Sequence, residues 1–329
     1  MKPIRYACLG LLVFALGGGA ASAQQAPYPD RTVKVLVPYN PGGATDIVAR
    51  IVLDEMRQSL GQTFIVENKA AAYGIVAIEE VARSKPDGYT LMIGNISTNS
   101  ITPVLHKNEM HINYEKEIMP ISEIAVISNF VLATEAFPAN SLKEMIDYVK
   151  AHPGQVKYAS VGVGSYPHID MLMLMKATGM DMVHVPFVGG AGGDLMANLV
   201  NGDVQVGILN VASFGPIVRA GKLKAFAVAS KTRQPDYPNV PTMTELGFPG
   251  IGSENWQGLF GPAGLPKDVV ATLRKALQDA LKTQHVKDVF ASNSITAVTG
   301  GTQEQFIQFV RHEGARFSET IRDSHLVVE

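Results

Sequence analysis

The chain has 329 residues, of which 46% are hydrophobic and 18% charged, so it can bury a large core and is long enough for about two domains. Its 28 Lys and Arg residues against 30 Asp and Glu residues give a formal net charge of −2. This balance leaves no basic excess for nucleic acid or an anionic membrane surface, and no nucleic-acid partner is expected.

The first 23 residues have the pattern of a secretory signal peptide. Lys2 and Arg5 precede an apolar run that is shorter than the ~20 residues of a membrane-spanning helix, and Ala21-Ser22-Ala23 offers a cleavage site. Cys8 follows a charged segment, which argues against a lipid anchor. We expect cleavage after Ala23 and a periplasmic mature protein. Removing 23 of the 329 residues leaves 306, without cysteine, and the loss of Lys2 and Arg5 takes the net charge from −2 to −4.

Strand-like and helix-like segments alternate along the chain. The first half reads strand "TVKVLVPY", helix "ATDIVARIVLDEMRQSL", strand "TFIVEN", helix "IVAIEEVARS" and strand "YTLMIGN", then a long apolar run "EIAVISNFVLAT" and helix "SLKEMIDYVKAH". The second half repeats the rhythm with "VKYAS", "HIDMLMLMKATG", "MVHVPF", "GDLMANLVNG", "VQVGILN" and "KLKAFAVAS". This alternation predicts an α/β fold with largely parallel sheets and helices on both faces.

The last third has a different composition. Residues 232–268 are rich in Pro and Gly, which predicts a surface-running segment. Beyond it, two apolar helical faces predict late helices that pack back onto an earlier domain: Val269, Val270, Leu273, Leu277 and Leu281, and then Phe306, Phe309 and Val310.

Residues 37–52 ("VPYNPGGATDIVARIV") join a strand to a helix through Gly42-Gly43. Glycine lets a ligand approach the backbone, and the N–H groups and dipole of a helix N-terminus favour an anion. The segment lacks the GxxxxGK[ST] and GxGxxG patterns of nucleotide sites, so a carboxylate suits it better than a phosphate. We expect Asp46 to cap nearby N–H groups and hold the loop. An ordinary strand–helix turn without a ligand is the alternative.

Two further stretches in the second half have the same order of elements. In "YASVGVGSYPHIDMLM" a Gly/Ser loop precedes a helix entered at Pro167, and Ser165 with nearby N–H groups forms an anion-sized nest. In "HVPFVGGAGGDLMANLV" four glycines lead into a helix. Because ligands of α/β sheets bind at the carboxyl ends of strands, three such loops indicate a cleft between domains.

The motifs at these loops resemble those of the substrate-binding proteins of tripartite tricarboxylate transporters, the Bug family. They are Pro41-Gly42-Gly43-Ala44-Thr45-Asp46, "PDGYTL" (86–91), "GxGSxxH" (162–168), "HVPxxG" (184–189), "PTxxExG" (241–247) and a "W-G-L-PAG-P" run (256–266), in the family's order over almost the whole mature chain.

The resemblance implies a two-domain periplasmic binding-protein fold of the type II kind, with a ligand cleft between the domains and two crossover segments. Residues 24–125 plus 229–329 would form domain 1 and residues 126–228 domain 2. The protein would be a monomer without a cofactor that captures a small organic carboxylate and delivers it to the membrane subunits of a tripartite transporter. In the family, second-domain loops bind the carboxylate directly.

Three segments depart from the family pattern. "AAAYGIVA" (70–77) keeps only Gly74 of a glycine-rich motif and adds Tyr73, "VPFVG" has Phe187 and Val188 in place of a hydroxyl-bearing residue and a lysine, and Asn210 replaces a common acidic residue. These changes lower the polarity of the site. They predict a ligand with one firmly held carboxylate and an apolar or aromatic body, in preference to polyanions such as citrate.

Together the loops and the resemblance give the predicted ligand-binding set: Tyr39, Gly42, Gly43, Ala44, Asp46, Tyr73, Asn95, Ser97, Thr98, Gly164, Ser165, Tyr166, His168, Phe187 and Asn210. Asn95, Ser97 and Thr98 enter it because they follow the strand "TLMIG".

Two other functions remain open at the level of sequence. Ser165 with His168 could form the Ser–His pair of a secreted hydrolase, although "GVGSYPH" lacks the G-x-S-x-G pattern and the pair is expected to bind or cap. A binding protein that serves only as a sensor subunit is the other alternative. The histidines show no metal-ligand spacing, so no metal is predicted, and His184 in an apolar strand is expected to be a hydrogen-bonded core residue.

Overall fold

The computed structural model describes residues 28–187 and 193–324. The predicted signal peptide and its cleavage site, and Val188 and Gly189 of the "HVPxxG" motif, lie outside the described residues.

The described residues form eleven strands, which are, in chain order, β1 (Val33–Val37), β2 (Phe64–Asn68), β3 (Thr90–Asn95), β4 (Ile118–Ile127), β5 (Asn129–Thr134), β6 (Lys157–Ser160), β7 (Val183–Pro186), β8 (Val206–Asn210), β9 (Leu223–Ala229), β10 (Asn255–Pro262) and β11 (Ile295–Ala297).

The α-helices of the described residues are α1 (Ala44–Leu60), α2 (Ile75–Ala82), α3 (Thr102–Leu105), α4 (Tyr114–Glu117), α5 (Leu142–Ala151), α6 (Tyr166–Thr178), α7 (Gly193–Asn201), α8 (Val211–Arg219), α9 (Lys267–Ala280), α10 (Gln284–Ser292) and α11 (Gln303–Ser324). A 3₁₀ turn (Ala72–Gly74) precedes α2, and a π-helical turn (Ser97–Ile101) precedes α3.

The strands form two separate sheets. The first has the order β11-β4-β10-β3-β1-β2, and the second has the order β7-β6-β8-β5-β9. β2, β1 and β3 are parallel, as are β7, β6 and β8. The two-sheet α/β architecture with a cleft between the sheets confirms the predicted fold class.

The prediction of largely parallel sheets is wrong for part of each sheet. β10 runs antiparallel to both β3 and β4, and β5 runs antiparallel to both β8 and β9. β5 and β10 are the first strands that the chain forms after each passage between the sheets. Each inserts between strands of the sheet that it enters, so no helical crossover sets its direction.

Each sheet has an apolar core on both faces. On the first sheet, one core contains Val48 of α1 and Leu273 of α9, and the other contains Ile78 of α2 and Phe306 of α11. On the second sheet, α5 and α6 cover one face, and α7 and α8 cover the other. Helices therefore cover both faces of both sheets, as the alternation of elements predicts.

The long apolar run "EIAVISNFVLAT" is two strands that belong to different sheets. β4 ends at Ile127 and β5 begins at Asn129, so the chain passes to the second sheet at Ser128. It returns between Ala229, where β9 ends, and Asn255, where β10 begins. The domain limits 125/126 and 228/229 drawn from the sequence lie next to these passages.

The late helices pack on the first sheet, which confirms that they return to the earlier domain. The predicted face of α9 is buried in the core that it shares with α1, and Phe306 and Val310 of α11 enter the core on the opposite face. Within the described ranges, no helix is long and apolar enough to cross a bilayer.

The substitution Leu273→Ala tests how much the packing of α9 stabilises the first domain. Its side chain is fully buried between α9 and the sheet, and Leu273→Ala should lower the free energy of unfolding by about 2–5 kcal/mol because a core cavity remains. Urea unfolding measures this. Lys287→Ala, at an exposed position of α10, is the control and should change the value by less than about 0.5 kcal/mol. Equal effects of the two substitutions would contradict the packing described above.

Candidate functional site

A small cavity of about 40 Å³ lies between the two domains. Its walls are formed where strands of both sheets end: Tyr39 follows β1, Ser97 follows β3, and Gly164 and Ser165 belong to the loop after β6. The complete lining is Pro38, Tyr39, Ala70, Ala71, Tyr73, Gly74, Ser97, Thr98, Thr102, Val161, Val163, Gly164 and Ser165.

Asn95, the last residue of β3, organises the first-domain wall. Its Oδ1 accepts hydrogen bonds from the Tyr39 hydroxyl (2.6 Å) and the Ser97 N–H (2.9 Å), and its Nδ2 donates to Thr45 Oγ1 (3.1 Å). Asn95 does not itself line the cavity, but it holds Tyr39 and Ser97, which do. Burial raises the pKa of the Tyr39 hydroxyl, so this group remains a neutral donor.

Asp46 holds the Gly42-Gly43 loop, as predicted. One carboxylate oxygen accepts from the Gly42 N–H and from Arg50 Nε, each at 2.9 Å, and the other accepts from Asn68 Nδ2 at 2.9 Å. Burial opposes ionisation, but the hydrogen bonds from Arg50, Gly42 and Asn68 outweigh it and lower the pKa of Asp46. The Asp46 carboxylate therefore stabilises the loop and does not line the cavity.

Tyr73 lies in the cavity wall in a strained backbone conformation. Its φ is +56°, within the 3₁₀ turn before α2, a left-handed conformation that is uncommon for residues other than glycine. Its ring stacks on His106 with centroids 4.2 Å apart and planes inclined by 11°. Thr102 Oγ1 donates to the Tyr73 carbonyl at 2.9 Å. The ring is therefore held in place by its own domain, at the side facing the Gly162 loop of the second domain.

The second-domain loop uses most of its donors internally. The Ser165 hydroxyl donates to the Gly162 carbonyl at 2.6 Å, and the Gly162 N–H donates to Ser160 Oγ at 3.1 Å. The Gly164 N–H donates to His168 Nδ1 at 3.0 Å. The predicted anion nest thus exists as a geometry, but its N–H groups are engaged in holding the loop, so an anion would have to replace these internal acceptors.

His168 and His184 form a neutral stacked pair beneath this loop. The rings lie 4.0 Å apart with planes inclined by 5°, and Ser160 Oγ lies 2.6 Å from His184 Nε2. Burial lowers the pKa of His168 to about 3, with a further contribution from His184, and burial lowers the pKa of His184 to about 4. Neither ring supplies positive charge to the cavity near neutral pH. The hydrogen bond predicted for His184 is present, but the residue is half-buried on the edge strand β7 and does not lie in the core.

The two domains touch across the cleft at several points. The Tyr166 N–H of the second domain donates to Ser97 Oγ of the first at 3.1 Å. The glycine at position 164 also faces the first domain closely, because a Cβ there would lie 2.6 Å from Leu105 Cδ1. The structure therefore represents a closed arrangement of the domains.

Several predicted site residues support the cavity from outside its wall. Gly42, Gly43 and Ala44 form the entry to α1 and do not line the cavity. Asn210 caps α8 by accepting from the Ser213 N–H at 2.8 Å. Phe187 donates its N–H to the Ser160 carbonyl and packs against the second-domain core.

Six of the predicted residues are brought together in the wall, namely Tyr39, Tyr73, Ser97, Thr98, Gly164 and Ser165. Sequence reasoning missed Thr102, Val161 and Val163 among others. Val161 and Val163 alternate with the glycines of the recognised "GVGS" loop, a signal that could have identified them. Thr102 lies in an irregular segment without a comparable signal.

The described cavity wall carries no charged side chain. Its polar groups are the hydroxyls of Tyr39, Tyr73, Ser97, Thr98, Thr102 and Ser165, together with backbone amides. Among residues 28–187 and 193–324, no three His, Cys, Asp or Glu side chains converge as they would around a metal ion. The wall can therefore bind through neutral hydrogen-bond donors and apolar contact.

The site geometry does not support a Ser–His nucleophile. The Ser165 hydroxyl donates to the Gly162 carbonyl, and His168 Nδ1 accepts from the Gly164 N–H, so the two side chains are committed to different partners. A general base must lie within hydrogen-bond reach of the hydroxyl that it activates.

The family model described as "Tripartite tricarboxylate transporter family receptor" matches residues 48–326. The periplasmic binding protein BugD is 31% identical with a TM-score of 0.85, and the match covers 92% of this chain and 99% of BugD. MatC from Rhodopseudomonas palustris with bound malate is 32% identical with a TM-score of 0.83, covering 89% and 100%. An R. palustris protein with adipate is 26% identical with a TM-score of 0.85, covering 91% and 98%.

Asp46→Asn tests the anchoring of the first loop. A carboxylate with a lowered pKa stabilises the fold above its ordinary pKa, and this stability is lost as the pH falls through the folded-state value. The variant should therefore be less stable than wild type by about 1.5–3 kcal/mol at pH 7, with a smaller difference in acid. Urea unfolding at both pH values measures this, with the exposed Asp54→Asn as control. A pH-independent difference would contradict the anchoring role of the charge.

Gly164→Ala tests closure. The residue has a φ of +73°, and its added Cβ would meet Leu105 across the cleft, so ligand affinity should fall about tenfold or more and the closed form should be disfavoured. Gly179→Ala is the matched control, because its φ is +74° and nothing lies within 4 Å of the added Cβ. Small-angle scattering and titration should separate the two variants. Leu105→Ala should partly rescue Gly164→Ala. Equal behaviour of the two glycine variants would show that position 164 does not govern closure.

Proposed function

The chain belongs to the tripartite tricarboxylate transporter receptor family, and on that premise we propose that it is a periplasmic solute-binding protein for a small organic carboxylate. The ligand binds in the cavity between the two domains, and the loaded protein delivers it to the membrane subunits of a tripartite transporter. The protein works as a monomer after signal-peptide cleavage behind Ala23, and it is not an enzyme.

The observation that carries this proposal is the convergence of neutral donors from both domains on one cavity. Tyr39, Ser97 and Thr98 approach from the first domain, and Ser165 and the backbone of its loop approach from the second. Hydrogen bonds to a charged acceptor are about twice as strong as those between neutral groups. A carboxylate can therefore displace the internal acceptors that these donors now use.

In this closed arrangement the cavity encloses about 40 Å³, less than the about 300–1,000 Å³ of sites for small molecules and cofactors, so the two domains must separate slightly to hold a ligand. The two similar structures from Rhodopseudomonas palustris hold malate and adipate, which are small dicarboxylates.

The first-domain helix N-terminus adds a positive field to the loop that flanks the cavity. Gly43 makes no side-chain cap to α1, and Asp46 accepts from only one N–H of this loop, that of Gly42. Gly42, Gly43 and Ala44 contribute through this dipole, and Asn95, Tyr166, His168 and Asn210 contribute by holding the wall.

We further propose that the ligand has one firmly held carboxylate and an apolar or aromatic body. In the described wall no Lys or Arg offers a counter-charge for a second carboxylate, and Tyr73, Val161 and Val163 present apolar surface. Two carboxylates confined without a counter-charge repel each other more strongly than they do in water. The wall thus favours a monoanion over a citrate-like polyanion.

Binding stabilises the closed arrangement. The contacts between Tyr166 and Ser97 and between Leu105 and the Gly164 loop exist only when the domains meet. A ligand that touches both walls binds the closed form better and shifts the population toward it. Residues 24–125 plus 229–329 move as one domain, and residues 126–228 move as the other.

Paired calorimetric titrations of benzoate, adipate, malate and citrate test this function. Benzoate should bind more tightly than citrate. Tyr73→Gly should reduce the affinity for benzoate about tenfold, since the ring contact is lost, while the fold is kept because glycine tolerates the left-handed backbone of this position.

Tyr73→Phe is the control that retains the ring without its hydroxyl, and it should keep most of the affinity for benzoate. Tight citrate binding by wild type would overturn the ligand class but not the function. The absence of binding for every carboxylate in the panel would overturn the function itself.

A further inference from the structure

A second, larger concavity lies on the first domain and shares no lining residue with the ligand cavity. It lies between α11 and the segment 99–120, and we call it the α11 groove. Its apolar surface is provided by Val104, Met110, Ile112, Ile307 and Val310 among others.

The α11 groove is much larger than the ligand cavity. Its volume is about 750 Å³, against about 40 Å³ for the cavity. An extended apolar groove with a polar rim is the form in which proteins receive a helical or extended polypeptide segment.

The rim of the α11 groove is basic, in contrast to the whole chain. Lys107, Lys116 and Arg311 line it together with one acidic residue, Glu115, whereas the chain has a net charge of −2. The three cations are exposed, and none of them forms an ion pair within the part of the chain that the structure describes. This pattern is complementary to an acidic partner.

The α11 groove shares a structural element with the ligand cavity. The π-helical turn places Ser97 and Thr98 in the cavity wall, and its next two residues, Asn99 and Ser100, line the groove. Thr98 Oγ1 donates to Asn99 Oδ1 at 2.7 Å, and Asn99 Nδ2 donates to the hydroxyl of Tyr114 at 2.9 Å. Ser100 Oγ donates to the Val310 carbonyl of α11 at 3.3 Å. The two sites are thus connected by a continuous hydrogen-bonded path.

We infer that the α11 groove is the docking surface for an acidic, partly apolar polypeptide segment of the membrane partner. This inference rests on the proposed transport function, which supplies the partner. The apolar floor buries the apolar side chains of the segment, and Lys107, Lys116 and Arg311 pair with its carboxylates.

The test measures fluorescence anisotropy of three labelled amphipathic peptides that share their apolar positions and length and differ only in carrying Glu, Lys or Gln at the polar positions. The Glu peptide should bind wild type, more weakly as salt is raised, and the Lys and Gln peptides should bind at least tenfold more weakly. Lys107→Glu/Lys116→Glu should weaken binding of the Glu peptide about tenfold or more, because each reversal replaces an attraction by a repulsion.

Lys231→Glu/Lys287→Glu is the matched control, with the same change of charge at exposed positions outside the groove, and it should change the affinity less than twofold. Equal binding of the three peptides, no binding of any, or equal losses in both double variants would overturn the inference. So would binding of wild type to vesicles containing phosphatidylglycerol without any peptide preference, since that result would assign the rim to anionic lipid.

Calorimetric titration of benzoate and adipate against the same variants distinguishes a failure of the docking surface from a failure of the proposed function. Both double variants should bind a carboxylate as wild type does. Loss of peptide discrimination with intact carboxylate binding would refute the docking surface alone, whereas a wild type that binds no carboxylate would refute the function.

Discussion

The two passages of the chain between the sheets meet at one polar seam, and the arrangement of the whole molecule depends on it. β4 and β5 are separated by Ser128 alone, yet they belong to different sheets. The side-chain amide of Asn129 donates to the carbonyl of Ser253 in the returning segment, and Gln234 Nε2 donates to Ser128 Oγ at 2.8 Å. Because both passages lie together, they form the place about which one domain can rotate against the other.

One helix connects that seam to the ligand cavity. α6 begins after Ser165 in the cavity wall and carries the buried Asp170 further along, which accepts from the N–H and the hydroxyl of Ser253, each at 2.8 Å. Burial raises the pKa of Asp170 to about 6, although the hydrogen bonds from Ser253 oppose this shift. A carboxyl group kept out of water needs such partners. The helix is therefore fixed to the returning segment at one point and presents the binding loop at its start.

Local signals in the sequence predict the strand–loop–helix units, but they do not predict how the strands pair in the sheets. Gly42 and Gly43 with helical periodicity beyond them determine the β1–α1 junction, and the "GVGS" loop identified Gly164 and Ser165. The run "EIAVISNFVLAT" contains no Gly or Pro that would mark the passage at Ser128, and β5 is buried along its whole length. The run divides into β4 and β5 because its two halves pair with different strands that are distant in sequence. The antiparallel direction of β10 likewise arises from pairing with distant strands. Thr102 likewise reached the wall through tertiary packing.

The sequence also does not show which hydrogen bonds the site residues form within the protein. These bonds affect which ligands the site selects. Composition shows that Tyr39, Thr98 and Ser165 can donate, but only the fold shows that their hydroxyls already donate to Asn95, Asn99 and Gly162. A neutral ligand would exchange one neutral hydrogen bond for another and gain little. An anion forms charge-assisted bonds of about twice the strength, so it gains at each exchange. Competition with internal acceptors thus lets a wall without cations select a carboxylate over an alcohol or an amide of similar shape.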